Sequence, residues 1–392
     1  MVTVLVTDPE QRAALAAVRS LARSKWRVIT VGVHRGLAGW SRATNLHVGL
    51  SRADWHEPAA MSATVRELVA KHQIDVVLPV TDKASRVLLA LDGLPARVAG
   101  PQPAAYARAS DKATLMQMAP GVGIRVPRQF VLDSAAEIGG LPTSETGAWV
   151  LKPARSVVEI DGRPTSLQVR FAESWTDVGT QLAKYPSQAY PIMVQERVIG
   201  DGIGVFLLRR ARSTLLQFGH RRLREKPPAG GVSTYREALI PPEKLIRRCE
   251  ALLDQLDYEG PAMIEFKEDS RSGEAVLMEI NARLWGSVQL AIDAGVDFPS
   301  VLIAATLGLP IPAPRPARQG VRTYWEIGEL DHALAIWRKS AAELAAPPGM
   351  ALGAMAALRA LLDRRWSDRA EVFRVSDPMP FMGEILRWIT RQ

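Results

Sequence analysis

The sequence predicts a chain in three parts: an α/β region built on a parallel, doubly wound sheet, an α+β region with a mainly antiparallel sheet, and a helical tail. Three observations predict it. Over residues 1–100, β-rich runs alternate with segments that carry apolar residues at helical spacing, the pattern of strand–helix–strand units. Between 192 and 310, successive β-rich runs are joined by turn-rich segments. Beyond Pro310, Pro312, Pro314 and Pro316, a linker composition gives way to an Arg-rich helical pattern.

Each element follows from local chemistry. Residues 2–6 form an apolar run closed by Thr7-Asp8-Pro9-Glu10, and residues 11–23 have helical spacing. A β-rich run at 28–33, a helix at 60–72, a buried strand at 74–80 and a helix at 82–91 complete the first unit. No G-x-G-x-x-G follows the first strand. The glycines that bring backbone against a pyrophosphate are missing, which excludes a nicotinamide or flavin dinucleotide site there. Gly100-Pro101 reads as a linker, and Ser110-Asp111 caps a helix over 112–118 that ends at Gly121 and Gly123. Short strands, a hairpin turn at Ile160-Asp161-Gly162-Arg163 and a helix at 174–184 fill the next stretch. The antiparallel part comprises runs at 192–196, 203–208, 215–219 and 263–267, with a helix at 241–256.

Composition bounds the function. The length, 392 residues, calls for two or three domains. A net charge of +8 favours anionic partners such as nucleotides and phosphorylated intermediates. The cations are scattered apart from Arg221, Arg222, Arg224 and Lys226, so no nucleic-acid partner is expected. Cys249 stands alone, which excludes an internal disulfide or a cysteine metal site. The N-terminus lacks a basic leader segment and carries Asp8 and Glu10, and no apolar run is long enough to span a bilayer. The expectation is a cytoplasmic protein, with self-association left open. Trp325, Trp337, Trp366 and Trp388 in the tail read as residues that pack it onto the body, with a membrane or partner surface as the alternative.

The most informative segment runs from Pro261 to Arg283. It reads as two strands joined by a turn near Ser272, which sets Glu265 opposite Glu279 and Met263 opposite Asn281. Opposed residues share a face, as do residues two apart. Glu265, Glu279, Asn281 and Arg283 then face one way, and Ile264, Phe266, Met278 and Ile280 face a core. Two opposed carboxylates repel. A hard cation such as Mg²⁺, which takes oxygen ligands and shares them with phosphates, compensates. The alternative is a solvated face neutralised by Lys267 and Arg283.

Glu279-Ile-Asn-Ala-Arg283 followed by Leu-Trp-Gly-Ser287 resembles the closing E-x-N-x-R motif of the ATP-grasp superfamily. The resemblance implies Mg²⁺ on Glu265, Glu279 and Asn281, and Arg283 on the transferred phosphoryl group. Trp149-Val-Leu-Lys152-Pro153 looks like the family's strand ending in a nucleotide-binding lysine, and Ser110-Asp111-Lys112 like its earlier lysine. The stretch from Val194 to Gly202 resembles the hinge that holds adenine through backbone at Glu196 and Val198, with Asp201 on the ribose. Gly219 to Ser233 resembles an acceptor and phosphate loop in which Arg224 and Lys226 are catalytic and Gly230 and Gly231 approach ligand; His220 reads as structural or substrate-orienting.

The implied architecture is a Rossmann-like N-terminal domain at 1–100, an ATP-grasp domain at 101–310 with its lid at about 125–195, and a linker and tail at 311–392. The implied activity is ATP- and Mg²⁺-dependent ligation of a carboxylate, through an acyl phosphate, to an amine or other nucleophile. Two alternatives stay open: a bicarbonate-activating enzyme of the carboxylase or carbamoyl-phosphate type, and a nucleotide-binding interaction protein without turnover. In one respect the sequence departs from the family. The segment after Lys152 has no glycine until Gly162, where many members carry a glycine-rich lid, so Arg155 and Ser156 become candidates for phosphate contact.

Overall fold

The computed structural model describes residues 1–390 except Thr143, Ser144, Ser156, Gly162 and Ala229, and leaves out the side chains of Arg163 and Pro164. The first unit contains β1 (Thr3–Thr7), α1 (Arg12–Arg23), β2 (Arg27–Gly32), β3 (Leu46–Gly49), α2 (Arg52–His56), α3 (Pro58–His72), β4 (Val76–Leu78), α4 (Asp82–Leu89) and β5 (Arg97–Val98). Its sheet is parallel, in the order β3-β2-β1-β4-β5. Alternation along β1 sends Val4 and Val6 to the α1 side and Leu5 to the α3 side, so both faces are buried. That is why these strands read as unbroken apolar runs. The chain winds outward from β1 to β3 and then crosses back to β4. The winding therefore reverses between β1 and β4, and the loops after these two strands open a crevice there.

Next come α5 (Pro103–Ser110), α6 (Lys112–Met118), β6 (Gln129–Leu132), β7 (Trp149–Pro153), β8 (Val157–Ile160), β9 (Arg163–Ser166), β10 (Arg170–Ala172), α7 (Trp175–Leu182) and β11 (Ile192–Glu196). A four-stranded antiparallel sheet, β10-β7-β11-β6, packs on α7. Its centre is fully buried Trp149, edge-on to Trp175 at 4.7 Å. β8 and β9 form a separate hairpin whose turn contains Asp161 in the left-handed region; the turn residue Gly162 lies outside the described residues.

The largest sheet uses β12 (Gly200–Arg210), β13 (Ser213–Lys226), β14 (Val232–Leu239), β15 (Gly260–Asp269) and β16 (Ala275–Asn281). α8 (Glu243–Gln255), α5 and α6 cover its back through Cys249, Leu252, Phe266 and Leu277. Then follow α9 (Val288–Asp293), α10 (Phe298–Leu307), β17 (Arg322–Tyr324), α11 (Glu326–Arg338), α12 (Ala354–Leu362), β18 (Arg369–Ala370) and α13 (Met379–Ile389). The order is β16-β15-β12-β13-β14-β17-β18. The tail is helical but also lends two strands to this sheet. At three and two residues, β17 and β18 are too short to show alternation.

Tail aromatics divide. Trp325 donates from Nε1 to Glu384 Oε1 at 2.9 Å, and Trp388 to Asp331 Oδ1 at 2.8 Å. Trp337 and Trp366 are exposed, so packing accounts for two of the four. Buried Glu371 joins three parts of the chain, accepting from Arg12 of α1 and ion-paired with Arg236 of β14.

Candidate active site

The site begins with strand register. β15 and β16 pair antiparallel, with Glu265 opposite Glu279 and Met263 opposite Asn281. The turn between them is tied by Gly273 N–H to Asp269 O at 2.7 Å. One detail differs from the sequence expectation. A bulge after Glu265 pairs Phe266 with Leu277 instead of Met278. Leu277 enters the core, and Met278 faces the cleft, with Sδ 3.7 Å from Lys152 Nζ.

The cleft-facing row continues across the sheet. Glu279, Glu265, Gly204 and His220 lie opposite one another on adjacent strands. Strand spacing puts His220 about 10 Å from Glu265. Gly202 and Gly204 leave this face bare in its middle. A Cβ on Gly202 would lie 2.7 Å from Arg222 Cδ, so glycine is what lets the Arg222 side chain cross β12. Arg222 donates to Glu265 Oε2 at 2.5 Å and to Glu225 Oε1 at 2.9 Å. Sequence reasoning missed this arginine; the alternating glycines at 200, 202 and 204 were the signal.

These groups line a cleft of about 950 Å³ with Lys152, Glu196, Val198, Asn281 and Arg283. Lys112 sits at the start of α6, whose cap is Asp111 Oδ1 accepting from Thr114 N–H at 3.0 Å. Its ammonium is 3.2 Å from Glu279 Oε2. Arg283 donates to Asp82 Oδ2 at 2.8 Å, which brings α4 of the first unit to the edge of the site.

Electrostatics separates the two carboxylates. Burial raises Glu265, and Glu279 raises it further, against the pull of Arg222. Burial would raise Glu279 too, but Lys112 and Lys152 overcome it and hold Glu279 at about 2. Lys152 is itself depressed, first by burial and then by Lys112. Burial, with Arg222 and Arg236 nearby, drives His220 well below the usual imidazole range. It lines the cleft as a neutral ring, its Nδ1 3.3 Å from Ser287 Oγ.

Three expected site residues lie elsewhere. Asp201 is on the opposite face from Gly202 and pairs with Arg221 at 3.6 Å. Arg224 is held by Glu329 Oε2 at 2.6 Å and stacks on Tyr235. Lys226 is held by Asp331. Irregular pairing between β13 and β14 around Arg224 turns both cations toward α11. The loop glycines Gly230 and Gly231 do line the cleft. Arg155 pairs with Asp111 at 3.5 Å outside the cleft lining, and Ser156 is outside the described residues. At the hinge, the Glu196 and Arg197 N–H groups are already given to Arg128 O at 2.8 Å and Ala148 O at 2.9 Å, so Val198 is the next backbone N–H along.

A family profile described as "ATP-grasp in the biosynthetic pathway with Ter operon" matches residues 189–328, the stretch that carries the carboxylate hairpin. Biotin carboxylase from Campylobacter jejuni, solved as a beta-gamma-ATP complex, superposes with a TM-score of 0.63 over 82% of this chain and 74% of that one, at 14% identity. The chain has the ATP-grasp fold. An L-amino acid ligase from Bacillus licheniformis shares that fold, with a TM-score of 0.58, 15% identity and coverage of 78% and 74%. A D-aspartate ligase of Enterococcus faecium (strain Aus0004) is 29% identical over 147 residues, 34% of each chain. The match thus spans about a third of that curated relative. Among the described residues of this chain, no helix is long and apolar enough to cross a membrane.

Proposed function

We propose that this chain is an ATP- and Mg²⁺-dependent ligase that activates a carboxylate as an acyl phosphate and transfers the acyl group to an amine. The observation that carries this reading is the opposed pair Glu265 and Glu279 in a cleft lined by Lys152 and Arg283, with the Lys112 ammonium 3.2 Å from Glu279. The L-amino acid ligase and D-aspartate ligase likenesses support the same reaction class.

The donor set suits Mg²⁺. Glu265, Glu279 and the Asn281 amide oxygen are hard oxygen donors on one face. Such a site leaves positions for phosphate oxygens, as Mg²⁺ sites for nucleotides do. Bound there, the metal supplies neutralisation of phosphate charge. The chain's own groups do the rest. Lys152 and Lys112 attract the nucleotide phosphates. Backbone near Val198 meets the base. Arg283 faces the transferred group through its planar fork. The work is positioning and charge neutralisation, which is most of what phosphoryl transfer asks of a protein.

The test is ADP release in Mg²⁺ from paired panels of carboxylic acids and amines. Turnover that needs both partners and is lost in Glu279→Gln supports the reading. Nucleotide binding with no carboxylate-stimulated ADP from any pair contradicts it.

A further inference from the structure

We propose that the outward face of α12 docks on an anionic lipid surface, with Trp337 and Trp366 anchoring its two ends. The inference goes beyond the ligase reading and does not depend on it.

α12 is apolar on both sides. Its sequence, from Ala354 to Leu362, carries Arg359 as its one charge. Buried Ala357, with Ala356, Ala360 and Leu361, packs in one cluster with Ala333 and Ile336 of α11. At about 3.6 residues per turn, Met355, Leu358 and Leu362 share the opposite side. All three are exposed, Met355 at 65% and Leu362 at 72%. A helix on the surface of a globular protein ordinarily turns polar residues outward. Here the side facing away from the protein is as apolar as the packed side.

A tryptophan stands at each end of this helix. Gly353 N–H, just before α12, donates to Ile336 O at 2.8 Å, which brings the end of α11 and its exposed Trp337 to the first turn. Trp366 follows Leu362 by four residues and is fully exposed. Tryptophan favours the boundary between acyl chains and headgroups, where an apolar ring keeps one wet edge.

The surrounding charge selects the partner. Residues 333–366 hold five cations, Arg338, Lys339, Arg359, Arg364 and Arg365, against the two acids Glu343 and Asp363. Asp363 is taken by Arg224 at 3.2 Å, and Glu343 accepts from Ser340 N–H at 2.9 Å. Arg338, Lys339 and Arg359 are exposed, and among the described residues none of them has an ion-pair partner. A second copy of this face would set these cations against their own kind, because a two-fold interface meets itself. An anionic bilayer supplies the complement: headgroups for the three cations and the acyl boundary for Met355, Leu358 and Leu362. The helix is far too short to span a bilayer and would lie in its surface. Its mount is rigid. α11 is fixed to the body by Glu329 on Arg224 and by His332, whose Nδ1 lies 2.7 Å from Glu225 O. Docking through α12 therefore sets the orientation of the nucleotide cleft to the lipid.

The experiment is flotation of the wild-type chain with vesicles of phosphatidylcholine alone and of phosphatidylcholine mixed with phosphatidylglycerol, at low and high salt. Binding to the anionic vesicles should be at least about tenfold tighter than to the neutral ones and should weaken with salt. Leu358→Gln with Leu362→Gln should weaken it by about tenfold or more, since two apolar side chains lose their burial. Arg338→Gln with Lys339→Gln should weaken it by about fivefold for each charge removed. All four positions are exposed, so both variants should melt with the wild type; the charge variant carries the test if the leucine variant does not fold. The proposal is overturned if the wild type ignores anionic vesicles, if it binds neutral vesicles as tightly, or if both variants bind like wild type. Sedimentation velocity adds a further contrary result: a wild-type dimer that the leucine variant dissolves, with no vesicle binding, would give this face to a second copy.

Discussion

Replacing Arg222 with Met tests the electrostatics of the site. The guanidinium is almost wholly buried and holds Glu265 at 2.5 Å, Glu225 at 2.9 Å and the Gly231 carbonyl at 3.1 Å. Met fills much of the same volume, so the main loss is charge. Removing one partner of a buried pair strands the other and costs about 3–5 kcal/mol. Burial already raises Glu265 in the wild type, and the variant raises it further. A carboxyl whose folded pKa exceeds its unfolded value favours the folded state at low pH and loses that advantage as pH climbs through the folded pKa. The deficit of Arg222→Met should therefore be largest at alkaline pH and shrink as pH falls and Glu265 takes up a proton. Urea unfolding over a pH series, read by tryptophan fluorescence, measures it. A loss below about 1 kcal/mol, or one independent of pH, would refute the reasoning.

Other consequences follow from the same contacts. Gly202→Ala places a Cβ 2.7 Å from Arg222 Cδ; it should cost about 1–3 kcal/mol in urea unfolding and weaken Mg·ATP binding measured by calorimetry. Arg224→Leu leaves buried Glu329 with the more distant Arg364, 3.9 Å away, and should lower stability by about 2 kcal/mol, yet leave nucleotide affinity within about twofold because Arg224 faces α11. Burial lifts Glu384 to about 7 from 4.5, worth about 3 kcal/mol between its two extremes. The folded value is the higher one, so wild-type stability should fall as pH rises from 4.5 through 7, and Glu384→Gln should flatten that slope in thermal melts.

Much of the fold was legible because it rests on period and punctuation. Continuous apolar runs marked the strands of the doubly buried first sheet, and Asp111 marked the start of α6. The carboxylate register was legible because one turn fixes which residues oppose. What stayed hidden was set by distant parts of the chain. The bulge that turns Met278 into the cleft depends on how Phe266 and Leu277 pack on α8. The destination of Arg224 and Lys226 depends on Glu329 and Asp331, more than a hundred residues later. Asp201 was one residue out of phase: alternation gives the cleft to Gly202 and sends Asp201 to the other face. Asp82 belongs to the first unit, and nothing local to α4 announces that it meets Arg283.

The central claim is that Glu265 and Glu279 act together on a metal–nucleotide complex. Calorimetry of Mg·ATP binding to the wild-type chain and to Glu279→Gln, with Mg²⁺ varied, tests it most directly. The account predicts Mg²⁺-dependent ATP binding that weakens by at least about tenfold in the variant, with a lower apparent Mg²⁺ affinity. Equal Mg·ATP affinity in the two proteins, or binding indifferent to Mg²⁺, would contradict it.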